Sequence, residues 1–138
     1  MSDIERSVLI PEDVAPPGGK YTHAIRVRGG ELLFISGQVS IDASGEFVGK
    51  DDVGAQTRQV FDNLGNVLKT AGGSFADVVE LMYYIVGRGS VAGFMEARTA
   101  IFDEIFPDGN YPTATLLVVE GLASEDFLVE VSAVAALP

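Results

Sequence analysis

The stretch from Val53 to Ala71 restricts the possible folds of this chain more than any other. Val53, Thr57, Val60, Phe61, Leu64, Val67, Leu68 and Ala71 recur at steps of three and four, which aligns them along one stripe of an α-helix. Asp51 and Asp52 precede the stripe, and either can cap the first-turn amides. Gly72-Gly73 follows it, as expected where a helix ends in left-handed backbone. A second stripe, Val91, Phe94, Met95, position 98, Ile101, Phe102 and Ile105, starts after Ser90, a candidate cap, and stops at Pro107-Asp108-Gly109-Asn110. Position 98 is an arginine, the first residue to break the local pattern.

The remaining segments alternate as strands do. Tyr21 to Val27 places Tyr21, His23, Ile25 and Val27 on one face, and Arg28-Gly29-Gly30-Glu31 reads as a hairpin turn. Leu32 to Ser36 is a second strand, interrupted at Gly37 and continued from Gln38 to Ile41 before an Asp42–Gly45 turn; an intrastrand glycine suggests a bulge or a close approach. Ser74-Phe75-Ala76-Asp77 has the form of a capping box. Val78 to Val86, Thr113 to Val119 and Phe127 to Ala135 are further strands. Pro11, Pro16, Pro17, Gly18 and Gly19 mark residues 1–19 as an irregular N-terminal arm. The expected architecture is α+β, a single domain over residues 1–138, with a mixed sheet of about six strands and two helices packed on one face. Two helices with one stripe each leave the other face of the sheet uncovered, so another subunit is expected there.

Composition removes whole classes of function. The 138 residues include no cysteine and one histidine, which excludes disulfides, thiolate zinc, a cysteine nucleophile and any metal site needing two imidazoles. No metal site is expected. Nine Lys+Arg against 20 Asp+Glu give a formal charge of −11, unfavourable for nucleic acid and for anionic membranes alike. The glycine pairs are not followed by Gly-Lys-Ser/Thr, so they form no phosphate loop. Met1 to Arg6 has no basic segment leading into an apolar run, and no apolar stretch is long enough to span a bilayer. A cytoplasmic protein is expected.

Two charges stand where apolar residues are expected. Glu130 interrupts the strand Phe127–Val134, a setting suited to general acid–base work, although a solvent-facing edge position would also explain it. Arg98 interrupts the second helical stripe; it either snorkels to water or clamps an anion through its guanidinium fork. A buried guanidinium and carboxylate each need an opposite charge, so Arg98 and Glu130 are expected to pair with each other or with a ligand. Tyr21 can offer a hydroxyl to a ligand, and Ser36-Gly37-Gln38 can present backbone donors.

Gly19-Lys20-Tyr21-Thr22-His23-Ala24, Leu33-Phe34-Ile35-Ser36-Gly37-Gln38, Gln56-Thr57-Arg58-Gln59, Asp62-Asn63-Leu64, Tyr111-Pro112-Thr113-Ala114-Thr115 and Leu128-Val129-Glu130-Val131 occur in that order. Together they resemble the Rid family, the YjgF-like reactive intermediate deaminases. The resemblance implies a chorismate-mutase-like fold, a homotrimer, and clefts between subunits for small carboxylate-bearing metabolites. It also implies hydrolysis of imines or enamines such as 2-aminoacrylate, without a cofactor. By the same resemblance Glu130 and Tyr21 are the catalytic candidates, with Glu130 positioning the hydrolytic water. Gly37, Ala114 and Thr115 line the substrate-binding cleft. The family's hallmark arginine falls at Ala114, which cannot grip a carboxylate, and Arg98 is the candidate substitute. The expected function is therefore a divergent hydrolase or deaminase of a small metabolite, or alternatively a non-catalytic module that binds a metabolite or partner.

Overall fold

Asp52 caps α1 (Val53–Thr70), its carboxylate accepting the Ala55 amide at 3.0 Å. Gly72, at φ 80°, lets the chain turn back after the helix, where the Gly73 amide donates to the Leu68 carbonyl at 2.8 Å. The capping box forms as well: the Ser74 hydroxyl accepts from Ala76 and the Asp77 carboxylate from the Ser74 amide. Ser90 precedes α2 (Val91–Ile105) but makes no side-chain capping bond.

The computed structural model describes residues 3–138. Its strands are β1 (Ile4–Leu9), β2 (Ala24–Gly29), β3 (Glu31–Gln38), β4 (Val78–Val86), β5 (Thr113–Val119) and β6 (Val129–Leu137). They hydrogen-bond in two groups, a β1-β2 ribbon and a mixed sheet in the order β3-β6-β4-β5, in which only β4 and β5 run parallel. Both helices pack on one face of the mixed sheet. Val60, Phe61, Leu64 and Leu68 of α1 and Phe94, Ile101 and Phe102 of α2 are buried there with Leu81, Tyr83 and Ile85 of β4 and Val129, Val131 and Ala133 of β6. Phe102 is the hub of the aromatic packing, 4.8 Å from Phe106, 5.7 Å from Tyr111 and 6.0 Å from Phe61 between ring centroids.

Several expectations need correction. The arm expected to be irregular over residues 1–19 contains β1, antiparallel to β2; residues 1 and 2 lie outside the described part. Pairing with β2 and the bonds from the Arg6 guanidinium to Asp77 and to the Ala136 carbonyl hold this strand, and none of these partners is local. Gly29 and Gly30 have positive φ as a tight turn requires, yet they close no hairpin, because β2 pairs with β1 and β3 with β6. A Cβ on Gly29 would collide with the Asp3 carbonyl and one on Gly30 with the Leu137 carbonyl, so close backbone approach also requires glycine here. Tyr21 and His23 precede β2 rather than lying in it, and Ile41 makes only an isolated bridge to Phe47. The bulge expected at Gly37 is present, with the β3–β6 register shifting between Ile35 and Gln38.

The far face of the mixed sheet stays open. Leu32 and Phe34 of β3 and Leu117 of β5 are 58%, 74% and 42% exposed there, beside Met82 and Tyr84 of β4 and Val134 of β6.

Candidate functional site

Strand alternation decides where Glu130 goes. Its neighbours Val129 and Val131 are fully buried beneath the helices, so the Glu130 side chain emerges, half-buried, on the open face. Across the β3–β6 pair the bulge brings Gly37 directly over it: a Cβ there would overlap the Glu130 carboxylate, and only glycine leaves the room that this side chain fills. On the other side its register partner is Tyr84 of β4. Thr115, paired with Met82, is exposed on the same face one strand further out. Among the described residues Glu130 makes no ion pair.

Arg98 reaches the opposite face. It is only 7% exposed, so the guanidinium does not snorkel to water. Its terminal carbon lies 5.4 Å from the Phe102 ring centroid and 5.9 Å from that of Tyr83, within range for cation–π attraction. Tyr83 alternates with Tyr84 along β4 and so points toward the helices. Burial pushes the Tyr83 phenol well above the usual tyrosine range, with the nearby Arg98 charge pulling the other way. Arg98 and Tyr83 line a cavity of about 280 Å³ together with Tyr21, Ala114, Met95 and Leu116. Tyr21 is held at this cavity by two bonds: its hydroxyl accepts from the Gly18 amide at 3.3 Å, and the next residue, Thr22, donates its amide to the Pro112 carbonyl at 3.1 Å. The Tyr21 ring meets His23 edge-on at 5.8 Å, and His23 Nε2 lies 2.6 Å from the Ala15 carbonyl.

The candidate residues therefore divide into two groups. Glu130, Gly37 and Thr115 share the open face, whereas Arg98, Tyr21 and Ala114 surround the cavity on the helical side. The expected pairing of Arg98 with Glu130 does not occur within the chain, because the sheet lies between them; the described ion pair is Arg6–Asp77 at 3.1 Å. Tyr83 and Tyr84, which flank the two groups, point in opposite directions because strand side chains alternate with a period of two. A wider groove of about 680 Å³ lies between α1 and residues 38–43. Two of its amides are already engaged, Gln59 with Asn63 at 2.9 Å and Asn63 with the Val39 and Ile41 carbonyls at 3.1 and 2.9 Å. No cluster of three or more His, Cys, Asp or Glu that could hold a metal occurs among the described residues, and no helix there is long and apolar enough to cross a membrane.

The model of the family described as endoribonuclease L-PSP matches residues 12–137. The chain belongs to the YjgF/Rid family. Among its Rid relatives a RutC family protein of Pyrococcus horikoshii is 34% identical over 131 residues, 94% of this chain and 97% of the relative. A second RutC family protein, from Pyrococcus abyssi, is 33% identical over the same share of this chain and 96% of its own length. The solved structure of the Rid-family protein YyfB from Yersinia pestis superposes with a TM-score of 0.83 at 35% identity, covering 96% of this chain and 98% of that one. TdcF of E. coli, a structure with bound serine, gives 0.69 at 25% identity over 96% and 99%. The Rid fold thus spans nearly the whole chain, including the strands that carry Glu130 and Gly37.

Proposed function

We propose that this Rid protein is a cofactor-independent hydrolase of small imines or enamines, working at Glu130 in a cleft between copies of the chain. The observation that carries the reading is the Glu130 carboxylate itself, half-buried on the open sheet face, seated under a glycine whose missing side chain makes room for it, and without an ion-pair partner among the described residues. The chemistry needs one proton carrier. Protonation of an enamine at carbon gives the iminium; Glu130 takes a proton from water as the oxygen bonds to the C=N carbon. Glu130 passes that proton to the carbinolamine nitrogen and takes up the hydroxyl proton as ammonia leaves, which gives the carbonyl compound. A single carboxylate within hydrogen-bond reach can serve these proton transfers in turn, its protonated form starting the cycle at the enamine carbon.

Ala114 offers no cation where the resemblance implies the family's arginine, so 2-aminoacrylate is expected to be a poor substrate. The endoribonuclease description of the family model fits this chain less well, since a formal charge of −11 repels a phosphate backbone. The test is ammonia release from imines generated in the assay by an amino-acid oxidase acting on a panel of apolar and polar amino acids. Release faster than spontaneous hydrolysis supports the reading. Rates equal to buffer across the panel would leave a binding module as the function.

The same reading requires a homotrimer whose subunits bury the open face, and a neighbouring copy that brings Tyr21 to the substrate. Leu32 and Phe34 on one edge strand and Leu117 on the other are too apolar and too exposed for this face to remain in water. Sedimentation is expected to give three times the 14.6 kDa chain mass, and Phe34→Asp is expected to shift the population to monomer. A wild-type monomer at micromolar concentration would sink this part of the proposal.

A further inference from the structure

We propose that Tyr84 is a further catalytic residue on the open face, its phenol oxygen accepting one hydrogen of the attacking water while Glu130 accepts the other. This rests on the reading of Glu130 as the proton carrier and adds the group that aims the water. Tyr84 and Glu130 stand opposite each other in the antiparallel β4–β6 ladder. The Val86 amide donates to the Leu128 carbonyl at 2.9 Å. Hydrogen-bonded pairs recur at every second residue, so Tyr84 and Glu130 form the next one, with Cα atoms about 5.5 Å apart. Backbone bonds thus fix the two side chains next to each other. Both are half-buried on the open face, while Tyr83, Ile85, Val129 and Val131 turn beneath the helices.

The row across the sheet singles out this phenol. From β3 to β5 it reads Gly37, Glu130, Tyr84, Leu117. Glycine has no side chain to offer and leucine is apolar, so within the row only Tyr84 can bond something held at the carboxylate. Two other hydroxyls share the face. Ser132 stands two residues along β6, about 7 Å from Glu130, and Thr115 lies opposite Met82 on β5; both side chains are short. Strand side chains stand roughly perpendicular to the sheet, and a tyrosine reaches further than a glutamate, so the hydroxyl overhangs the carboxylate. The carboxylate itself leans toward β3, into the space that a Gly37 side chain would fill. That lean draws it away from the phenol and leaves a gap for a bridging water. A water there donates one hydrogen to each oxygen, which turns a lone pair toward the C=N carbon. The proton it gives up goes to Glu130, and the phenol keeps its own throughout.

The experiment measures kcat and KM on the best imine substrate for the wild type, Tyr84→Phe, Glu130→Gln and the double variant. Phenylalanine keeps the ring and removes only the hydroxyl, so thermal unfolding and sedimentation are expected to stay unchanged. Tyr84→Phe is expected to lower kcat by about 3- to 10-fold, the worth of one neutral hydrogen bond, with KM within about two-fold. In the Glu130→Gln background the same substitution is expected to change the residual rate by less than about two-fold, because an aimed water gains nothing where no group takes its proton. Unchanged kcat in Tyr84→Phe, a loss confined to KM, or the same loss in both backgrounds would overturn the proposal. So would a lowered melting temperature accompanying the loss, or a structure of the assembly in which the Tyr84 hydroxyl bonds a neighbouring copy. Full activity in Glu130→Gln, or a wild type that hydrolyses no imine, would instead overturn the reading of Glu130 and this proposal with it.

Discussion

Replacing Glu130 by glutamine is expected to lower turnover on the best imine substrate by about 100- to 10,000-fold, the range general acid–base groups contribute. Glutamine keeps the length and shape of the side chain and can still bond water through its amide oxygen, but it cannot take up a proton at neutral pH. Little change in KM or thermal stability is expected, because Glu130 makes no ion pair among the described residues and only half of it is buried. Gly37→Ala provides the complementary probe. The new Cβ would overlap the Glu130 carboxylate and lie 2.9 Å from its Cγ. The obstructing atoms belong to a flexible side chain, so the strand is expected to hold while the carboxylate swings aside. Misplacing a reacting group by about 1 Å can cost up to about 100-fold, and a kcat loss of about 10- to 100-fold is expected. Kinetics and thermal unfolding of both variants check this. Full activity in Glu130→Gln would move the chemistry elsewhere, whatever Gly37→Ala did.

Gln56→Leu is expected to reduce stability by about 2–4 kcal/mol, from stranded backbone groups rather than lost packing. Gln56 is fully buried on α1, and its amide bonds three separate backbone groups. Nε2 donates to the Gly49 and Asp126 carbonyls, both at 2.9 Å, and Oε1 accepts the Leu128 amide at 2.8 Å. The side chain thus fixes the loop before α1 and the entry to β6, two residues ahead of Glu130. Leucine fills nearly the same volume and keeps α1 amphipathic, so helix content is expected to persist. Denaturant midpoints at fixed protomer concentration report the loss, since association otherwise contributes to apparent stability. Faster hydrogen exchange at the Leu128 amide would localise it; an unchanged midpoint and unchanged exchange would mean that water replaces all three bonds.

Gln56 illustrates where the sequence stops being informative. It was visible only as part of a recurring motif, because its partners lie seven, 70 and 72 residues away. The bulge at Gly37 was legible as an interruption of a strand. That it seats Glu130 required the register of β3 against β6.

By itself the sequence determined the two helices, the caps of α1 and of the Ser74 turn, the alternating strands and the α+β class. Each of these follows from residues within a few positions of one another, where periodicity and capping act. The family was also within its reach, through six short motifs in fixed order. Tertiary structure alone decided that Ile4–Leu9 forms a strand, that Gly29-Gly30 separates two strand groups instead of closing a hairpin, and that Arg98 and Glu130 face opposite ways. A period of two tells which residues share a face, not which face the helices will cover. That choice is made by strand order and helix packing, and here it placed Arg98 beside Tyr83 in a cavity and Glu130 beside Gly37 on the open sheet.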